Sequence, residues 1–289
     1  MKIYFRELTI DDIPDIKAIS KNIWDGEDYI PQVIEKWLQD KNCMNYGAFM
    51  DENLDEIVGF GRVKLYNDKL AWLEGGRVNV KYQNQGIGRE MTNFAINYAC
   101  KVKANVAQFD TSSKNQGSNA LAKFFGFKKK KSMNVLNAER KDIKQFKPIS
   151  LDVKKVMVKE AKELYKHFNI GPGEEVSIGW SYMPINNLSD DGNSWYVVNS
   201  KAILQKVKFK STSIQESPGA KDVWMITYGD PTLAFELIKI CLQEELHDEE
   251  SKHFEVFSSP EIAILVEELG FYYYEGEPFG VVLFEKVLK

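Results

Sequence analysis

Cysteine and histidine are scarce in this sequence, since each occurs only three times among 289 residues. The cysteines Cys43, Cys100 and Cys241 form no CxxC pair, which argues against a disulfide framework and against a zinc site. The histidines are equally scattered, so we expect no metal. Reduced thiols are typical of the cytoplasm, and a cytoplasmic location is the prediction.

The sequence also lacks a large excess of either charge. Its 38 Lys+Arg residues oppose 42 Asp+Glu residues, which gives a net charge of −4. A dedicated nucleic-acid binder needs a basic surface, so no nucleic-acid partner is expected. No apolar run approaches the roughly 20 residues that span a bilayer, and residues 1–8 are charged and strand-like. We therefore expect neither a membrane partner nor a signal segment.

Hydrophobic periodicity divides the chain into two halves, joined by a polar stretch at 139–148. The first half predicts a strand at 2–8, two helices, an antiparallel meander over 45–80, and then helix, strand, helix and strand. The second half repeats the later part of this order and ends in a predicted strand pair over 271–287. Phe125-Gly126-Phe127 and Leu269-Gly270-Phe271 occupy equivalent helix-to-strand junctions. We interpret the halves as a diverged duplication; a chance shared junction is the alternative.

A loop with two glycines lies between the last strand of the meander and the following helix. It comprises Gln83-Asn84-Gln85-Gly86-Ile87-Gly88-Arg89. The first turn of a helix leaves backbone N–H groups unpaired at the positive end of its dipole. Glycines allow a pyrophosphate to approach that backbone without Cβ clashes. Alone, such a loop is weak evidence, because many are plain turns.

The wider pattern, Val78-x-Val80-x-Tyr82-Gln83-x-x-Gly86-Ile87-Gly88, resembles the acetyl-CoA signature of the GNAT acetyltransferases. A second family signature follows at Asn115, Ser118, Leu121, Gly126 and Phe127, although Ala122 stands where the family has a tyrosine. That tyrosine is often proposed to protonate the leaving thiolate. The resemblance covers residues 1 to about 138.

This resemblance implies an α/β protein with tandem GNAT-like domains, each a mixed, mostly antiparallel sheet flanked by helices. We predict an acetyltransferase domain over 1–140 and a degenerate GNAT-like domain over 149–289. The second domain has no GxG loop, so one acetyl-CoA is expected per chain.

Acetyl-CoA, the implied acetyl donor, would contact the glycine loop and the strand before it. The N–H groups of Gln85, Gly86, Gly88 and Arg89 would hold the pyrophosphate. The backbone of Val78 and Val80 would pair with the pantetheine arm. The predicted cofactor-binding set is Val78, Asn79, Val80, Gln83, Asn84, Gln85, Gly86, Ile87, Gly88, Arg89 and Asn115.

Acyl transfer to an amine requires a neutral nucleophile and hence a base. Glu74 lies four residues before Val78, where several GNAT members place their general base. Strand alternation puts Glu74 on the face of Gly76 and Val78, unless a bulge breaks the phase. The alternative is a structural carboxylate paired with Arg77 or Arg62.

Residues 23–31, together with Trp37 and Leu38, resemble the histidine N-acetyltransferase-like branch of the GNAT family. That branch also has a Glu-Gly pair on the strand before the loop. The resemblance implies that Asp25, Asp28 and Tyr29 line the acceptor site, with a carboxylate facing an ammonium or imidazole. The alternative is an N-cap and turn between two helices.

Together these patterns predict direct acetyl transfer to a primary amine, as in a small molecule such as an amino acid, with Glu74 as the base. A protein or peptide N-acetyltransferase is one alternative. A non-catalytic CoA-binding regulatory module is another, favoured by Ala122 and by the degenerate second half. The sequence makes no prediction of the oligomeric state.

Overall fold

A computed structural model describes residues 2–66, 69–171, 173–211, 219–274 and 276–288, without the side chain of Asp25. The chain forms two compact units, neither of which is one continuous segment. The first unit comprises Met1–Asp110, Gln116–Lys130 and Phe284–Lys289, and the second comprises Thr111–Asn115 and Lys131–Leu283.

The first unit is built around an antiparallel meander, in the spatial order β1-β2-β3-β4, with β5 parallel to β4. Its strands are β1 (Tyr4–Glu7), β2 (Cys43–Phe49), β3 (Ile57–Tyr66), β4 (Leu70–Val78) and β5 (Val106–Ser112). Its helices are α1 (Ile13–Ser20), α2 (Ile30–Gln39), α3 (Ile87–Lys101) and α4 (Gln116–Phe125).

Helices cover both faces of this sheet because apolar side chains alternate along its strands. Ile16 of α1 and Ile34 of α2 pack with Phe60 in one buried cluster. Met91 of α3 packs with Val63 in another, on the opposite face. The C-terminal residues also contribute to this unit, where Phe284 stacks on Phe109 with ring centroids 5.3 Å apart.

The second unit has the strand order β6-β13-β12-β11-β10-β7, in which only β12 and β13 pair in parallel. The strands are β6 (Lys128–Glu139), β7 (Val153–Val156), β8 (Glu175–Ser177), β9 (Tyr182–Pro184), β10 (Asn193–Val198), β11 (Ala202–Lys210), β12 (Lys221–Gly229), β13 (Ser251–Ser258) and β14 (Gly280–Val287), of which the first and last also extend into the first unit. The helices are α5 (Val158–Leu164), α6 (Pro231–Glu245) and α7 (Pro260–Glu267).

The predicted fold class is confirmed: the chain is α/β, with mixed sheets flanked by helices. The predicted strand pair over 271–287 is wrong, because Tyr272 forms only an isolated bridge to Asn137 before β14 begins. Strands β7 to β11 lie within 149–222, where the hydrophobic pattern predicts no strand. None of the helices in the described part of the chain combines the length and apolar character needed to cross a membrane.

Candidate active site

The candidate site is built on β4, which has a bulge at Gly75 and Gly76. Phe60 of β3 pairs with Arg77, and Arg62 pairs with Glu74, so two β4 residues lie opposite Gly61. The bulge breaks the side-chain alternation. Glu74 and Arg77 therefore share the face covered by α1 and α2, whereas Val78 packs toward α3.

Glycine is required at position 75 for two reasons. Its φ is +66°, and a Cβ there would lie 2.5 Å from the Trp37 ring. The bulge therefore requires glycine, which has no side chain, directly after Glu74.

β4 and β5 separate soon after they begin to pair. Their register holds at Leu70, Ala71 and Trp72 of β4, and no described residue continues it. The N–H of Asn79 donates to Val58 of β3 at 2.9 Å. Because N–H groups alternate in direction along a strand, the N–H of Val78 points away from β3, toward the side where β5 diverges.

The glycine loop ends at Gly86, which is the N-cap of α3 and has a left-handed conformation with φ 85°. A Cβ at Gly86 would meet only the end of Arg89, 3.7 Å away. In the described structure the N–H groups of Gln85, Gly86 and Gly88 donate to no other backbone carbonyl, whereas that of Arg89 donates to Gly86 at 3.0 Å. This open, positively polarised turn fits a pyrophosphate.

The other predicted cofactor residues have mostly structural contacts. The side chain of Asn79 accepts a hydrogen bond from the Lys81 N–H at 3.1 Å, and that of Gln83 donates to the Val78 carbonyl at 3.3 Å. Val80 is exposed and Ile87 is buried. Asn84 has a positive φ of 61°, which shapes the turn before Gly86. Asn115 directly precedes α4, and its N–H donates to the Ser112 carbonyl.

Position 122 provides no proton donor. Ala122 is 1% exposed and packs with Ile96, Ala107 and Phe127 in the hydrophobic core of the first unit. Its neighbour Leu121 would lie 3.8 Å from a Cβ added at Gly88. The face of α4 at position 122 is therefore packing surface.

Glu74 is paired with Arg62, one of the two arginines considered from the sequence. The Arg62 Nη1 lies 3.1 Å from Glu74 Oε1, and the Glu74 side chain is 23% exposed. Burial raises the pKa of the Glu74 carboxyl, and the nearby Arg62 charge offsets part of that effect. Glu74 Oε1 is itself buried without a well-aligned hydrogen bond. The carboxyl is thus partly desolvated at the edge of the opening in the sheet.

Asp28 and Arg77 form a buried ion pair on the same face. Arg77 Nε and Nη2 donate to the two Asp28 oxygens at 3.1 and 2.9 Å, and Nη1 donates to the Gly76 carbonyl at 3.1 Å. Asp28 also accepts from the Ile30 N–H at 3.3 Å, as an Asx turn would. Both Asp28 oxygens are therefore already bonded within the protein.

Two aromatic side chains flank this ion pair. The Arg77 guanidinium lies 4.3 Å from the Trp24 ring centroid and 5.5 Å from that of Tyr29. Trp24 is 57% exposed and has a φ of 47°, which is unusual for a bulky residue. Loss of hydration raises the pKa of Tyr29 to about 12, with the Glu74 and Asp110 charges acting in the same direction and Arg77 opposing it.

The structure thus brings Glu74, Asp28 and Tyr29 to one face of the sheet, and the side chain of Asp25 lies outside the described residues. Sequence reasoning did not include Trp24 or Asp110 in the site, nor choose between Arg62 and Arg77 as the partner of Glu74. The pairing of Glu74 with Arg62 follows from the register between β3 and β4, which the bulge sets. The conformation of Trp24 left no signal.

An open glycine turn at a helix N-terminus, on a mixed sheet flanked by helices, is the arrangement expected of an acyltransferase. Residues 10–127 match the profile of the Acetyltransferase (GNAT) family. The predicted family is confirmed for this part of the chain, which is a GNAT-type acetyltransferase domain.

Solved structures show the same fold over nearly the whole chain, at identities too low to indicate more. A putative acetyltransferase from Pyrococcus horikoshii is 18% identical, with a TM-score of 0.58, over 99% of this chain and 90% of that one. A GCN5-related N-acetyltransferase from Sphaerobacter thermophilus is 10% identical, with a TM-score of 0.65, over 99% and 95%. A tandem GNAT protein from the clavulanic acid biosynthesis pathway is 13% identical, with a TM-score of 0.61, over 99% and 98%. Comparison with curated proteins gives no match.

Proposed function

We propose that the first unit transfers an acetyl group from acetyl-CoA to the primary amine of a small molecule such as an amino acid, with Glu74 as the general base. One observation supports this most strongly. A single strand, β4, has a partly desolvated carboxylate at Glu74 and an outward N–H at Val78, and the open glycine loop follows it.

Acetyl-CoA supplies the activated acetyl group as a thioester. The N–H groups of the turn at Gln85 to Gly88 would bind its pyrophosphate, because they are oriented outward at the positive end of α3. The edge of β4 at Val78 would pair with the pantetheine arm. This assignment retains the predicted set of cofactor residues, except that the Arg89 N–H already donates to Gly86. Asn79 and Gln83 would support the turn through their side chains.

Glu74 would take the proton of the acceptor ammonium, directly or through water, and leave a neutral amine. The amine nitrogen then forms a bond to the thioester carbonyl carbon, the C–S bond breaks, and the surplus proton of the nitrogen passes to the thiolate or to solvent. The N–H of Val78 would donate to the carbonyl oxygen as negative charge develops there. Since Ala122 has no proton to give, the thiolate would leave unassisted by α4, which is tolerable for a thiol near neutral pH.

The acceptor would lie against the wall formed by residues 24–29. Tyr29 and Trp24 offer exposed aromatic surface there. Asp28, whose oxygens are held by Arg77, would shape this wall rather than bind the ammonium itself. A role for Asp25 and the likeness to the histidine N-acetyltransferase-like branch stay predictions.

A non-catalytic CoA-binding module is the second candidate, and the buried Ala122 favours it. Release of CoA thiol from acetyl-CoA, measured against amino acids, polyamines and short peptides, separates the candidates. We expect release with a small amine and much less with Glu74→Gln. Acetyl-CoA binding without release would support the binding module, and release only with peptides would support a protein acetyltransferase.

A further inference from the structure

A buried arginine on β3 is the cross-strand neighbour of the proposed base. Arg62 pairs with Glu74 across β3 and β4, and its side chain is 4% exposed. Its Nη1 contacts Glu74 Oε1 at 3.1 Å, and its Nη2 contacts Asp40 Oδ2 at 2.7 Å. Its guanidinium stacks over Trp37, 4.6 Å from the ring centroid. Arg62 is thus fixed from three sides, with Glu74 at one end.

Burying this arginine costs free energy that a purely structural contact would not need to spend. Burying a guanidinium requires several partners, and a buried ion pair often adds little stability compared with apolar packing. Here Arg62 Nε has no hydrogen-bond partner within the described residues. A role in the chemistry of Glu74 would account for a cation kept at this position.

The two carboxylates that share Arg62 differ in their acidity. Burial acts to raise the pKa of Asp40, but hydrogen bonds from Cys43 and Asn42 and the charge of Arg62 bring it below its usual value. The pKa of Glu74 is raised. Asp40 therefore keeps its charge and holds Arg62, while Glu74 is the carboxylate that exchanges a proton. The titratable and charged groups around Glu74 are Arg62, Lys64 and Tyr66 of β3, Asp40 after α2, Tyr29 before α2, and Arg77, Asp28 and Asp110 near Tyr29.

We propose that Arg62 is a positioning residue for the base: it holds the Glu74 carboxylate beside the β4 bulge and stabilises its charged form, and Asp40 fixes Arg62 in turn. This inference rests on the proposed function of Glu74. It assigns opposite roles to Arg62 and Asp40, since the cation favours ionised Glu74 and the second carboxylate opposes it.

The test is the pH dependence of kcat/KM for one acceptor, measured for the wild type, Arg62→Met, Arg62→Lys and Asp40→Asn. The acidic limb reports ionisation of the base in the free enzyme. Without the arginine charge we expect that limb to move to higher pH, by about one unit or more. Arg62→Lys should restore most of the original position. Asp40→Asn should move the limb in the opposite direction, to lower pH.

Acetyl-CoA affinity and thermal unfolding provide the folding control for every variant. If Arg62→Met does not fold, Asp40→Asn still gives a shift whose sign is predicted. A lower rate with an unmoved acidic limb in Arg62→Met or in Asp40→Asn would overturn the positioning role. A wild-type limb that persists in Glu74→Gln would instead overturn the proposed base, so the two failures are distinguishable.

Discussion

The parallel strand pairs of the two units share a pattern but differ in length. Trp72 pairs with Gln108 in the first unit, and Trp224 pairs with Glu255 in the second. Pairing ends there in the first unit, whereas in the second it continues to Ile226 and Phe257. The residue two positions after the tryptophan is Glu74 in one unit and Ile226 in the other. The first unit thus has both an unpaired edge on β4 and a carboxylate at Glu74. The second unit has neither at the equivalent positions of β12.

The helices that follow these strands differ in the same way. α3 begins at Gly86 with no side-chain cap. α6 begins with Pro231, and the Asp230 side chain accepts from the Leu233 N–H at 3.0 Å. A proline and an occupied cap remove the donors that an anion would need. The same order of elements therefore leaves the proposed anion site of the first unit without a counterpart at the start of α6.

The second unit also fills its sheet face with its own side chains. The Trp180 Nε1 donates to Glu255 at 2.8 Å, and the Tyr274 hydroxyl donates to the same carboxylate at 2.6 Å. Glu255 occupies the register position that Gln108 has in the first unit. These bonds are consistent with a packing role for this face of the second unit.

The largest expected effect is that of Glu74→Gln. This variant removes the β4 carboxylate whose equivalent position on β12 is Ile226. Turnover at neutral pH should fall by roughly 10²–10⁴. The deficit should shrink at high pH, where the amine is already neutral. Glu52→Gln, at a side chain that is 76% exposed, is the control and should keep normal turnover. Equal turnover in Glu74→Gln across pH would remove Glu74 from the mechanism.

Gly86→Val tests whether the glycine loop is what allows the N-terminus of α3, unlike that of α6, to bind acetyl-CoA. Loss of charged hydrogen bonds to the pyrophosphate should weaken acetyl-CoA binding by roughly tenfold to a hundredfold. Gly173→Val is a matched control, because Gly173 has a φ of 84°, against 85° for Gly86, and similar strain follows from a side chain there. Equal loss of affinity in both variants would indicate strain rather than a lost site.

Asp28→Asn tests the proposed acceptor wall of the first unit. Weakening the buried pair with Arg77 should displace Trp24 and Tyr29 and raise the acceptor KM by about tenfold. Acetyl-CoA affinity should stay near normal, because the pyrophosphate turn is not touched. Steady-state kinetics with each substrate varied in turn measures both. Weaker acetyl-CoA binding with an unchanged acceptor KM would contradict the assignment.

The smallest effect is expected from Asp230→Ala, which removes the cap of α6. Unfolding free energy should fall by about 1 kcal/mol, as measured by denaturant titration. Turnover and acetyl-CoA affinity should not change, since this helix start holds no anion. A loss of acetyl-CoA affinity would show that the second unit takes part in binding.

Much of the first unit follows from local sequence, because its helices and strands have clear periodicity and its loop has a recognisable glycine pattern. The pairing of Glu74 with Arg62 rather than Arg77 depends on the bulge at Gly75 and Gly76, where a side chain at position 75 would meet the Trp37 ring. Strands β8 and β9 are only three residues long, too short for periodicity to detect. The saturation of Asp28 by Arg77 is a tertiary contact between distant segments, and composition does not encode it.

Calorimetric titration of acetyl-CoA into the protein tests the central claim most directly, namely that only the first unit retains a functional site. The account predicts one site per chain in the wild type. It also predicts that Gly86→Val loses that site, whereas Gly173→Val and Asp230→Ala keep it. Two sites per chain, or a single site that survives in Gly86→Val with unchanged affinity, would contradict it.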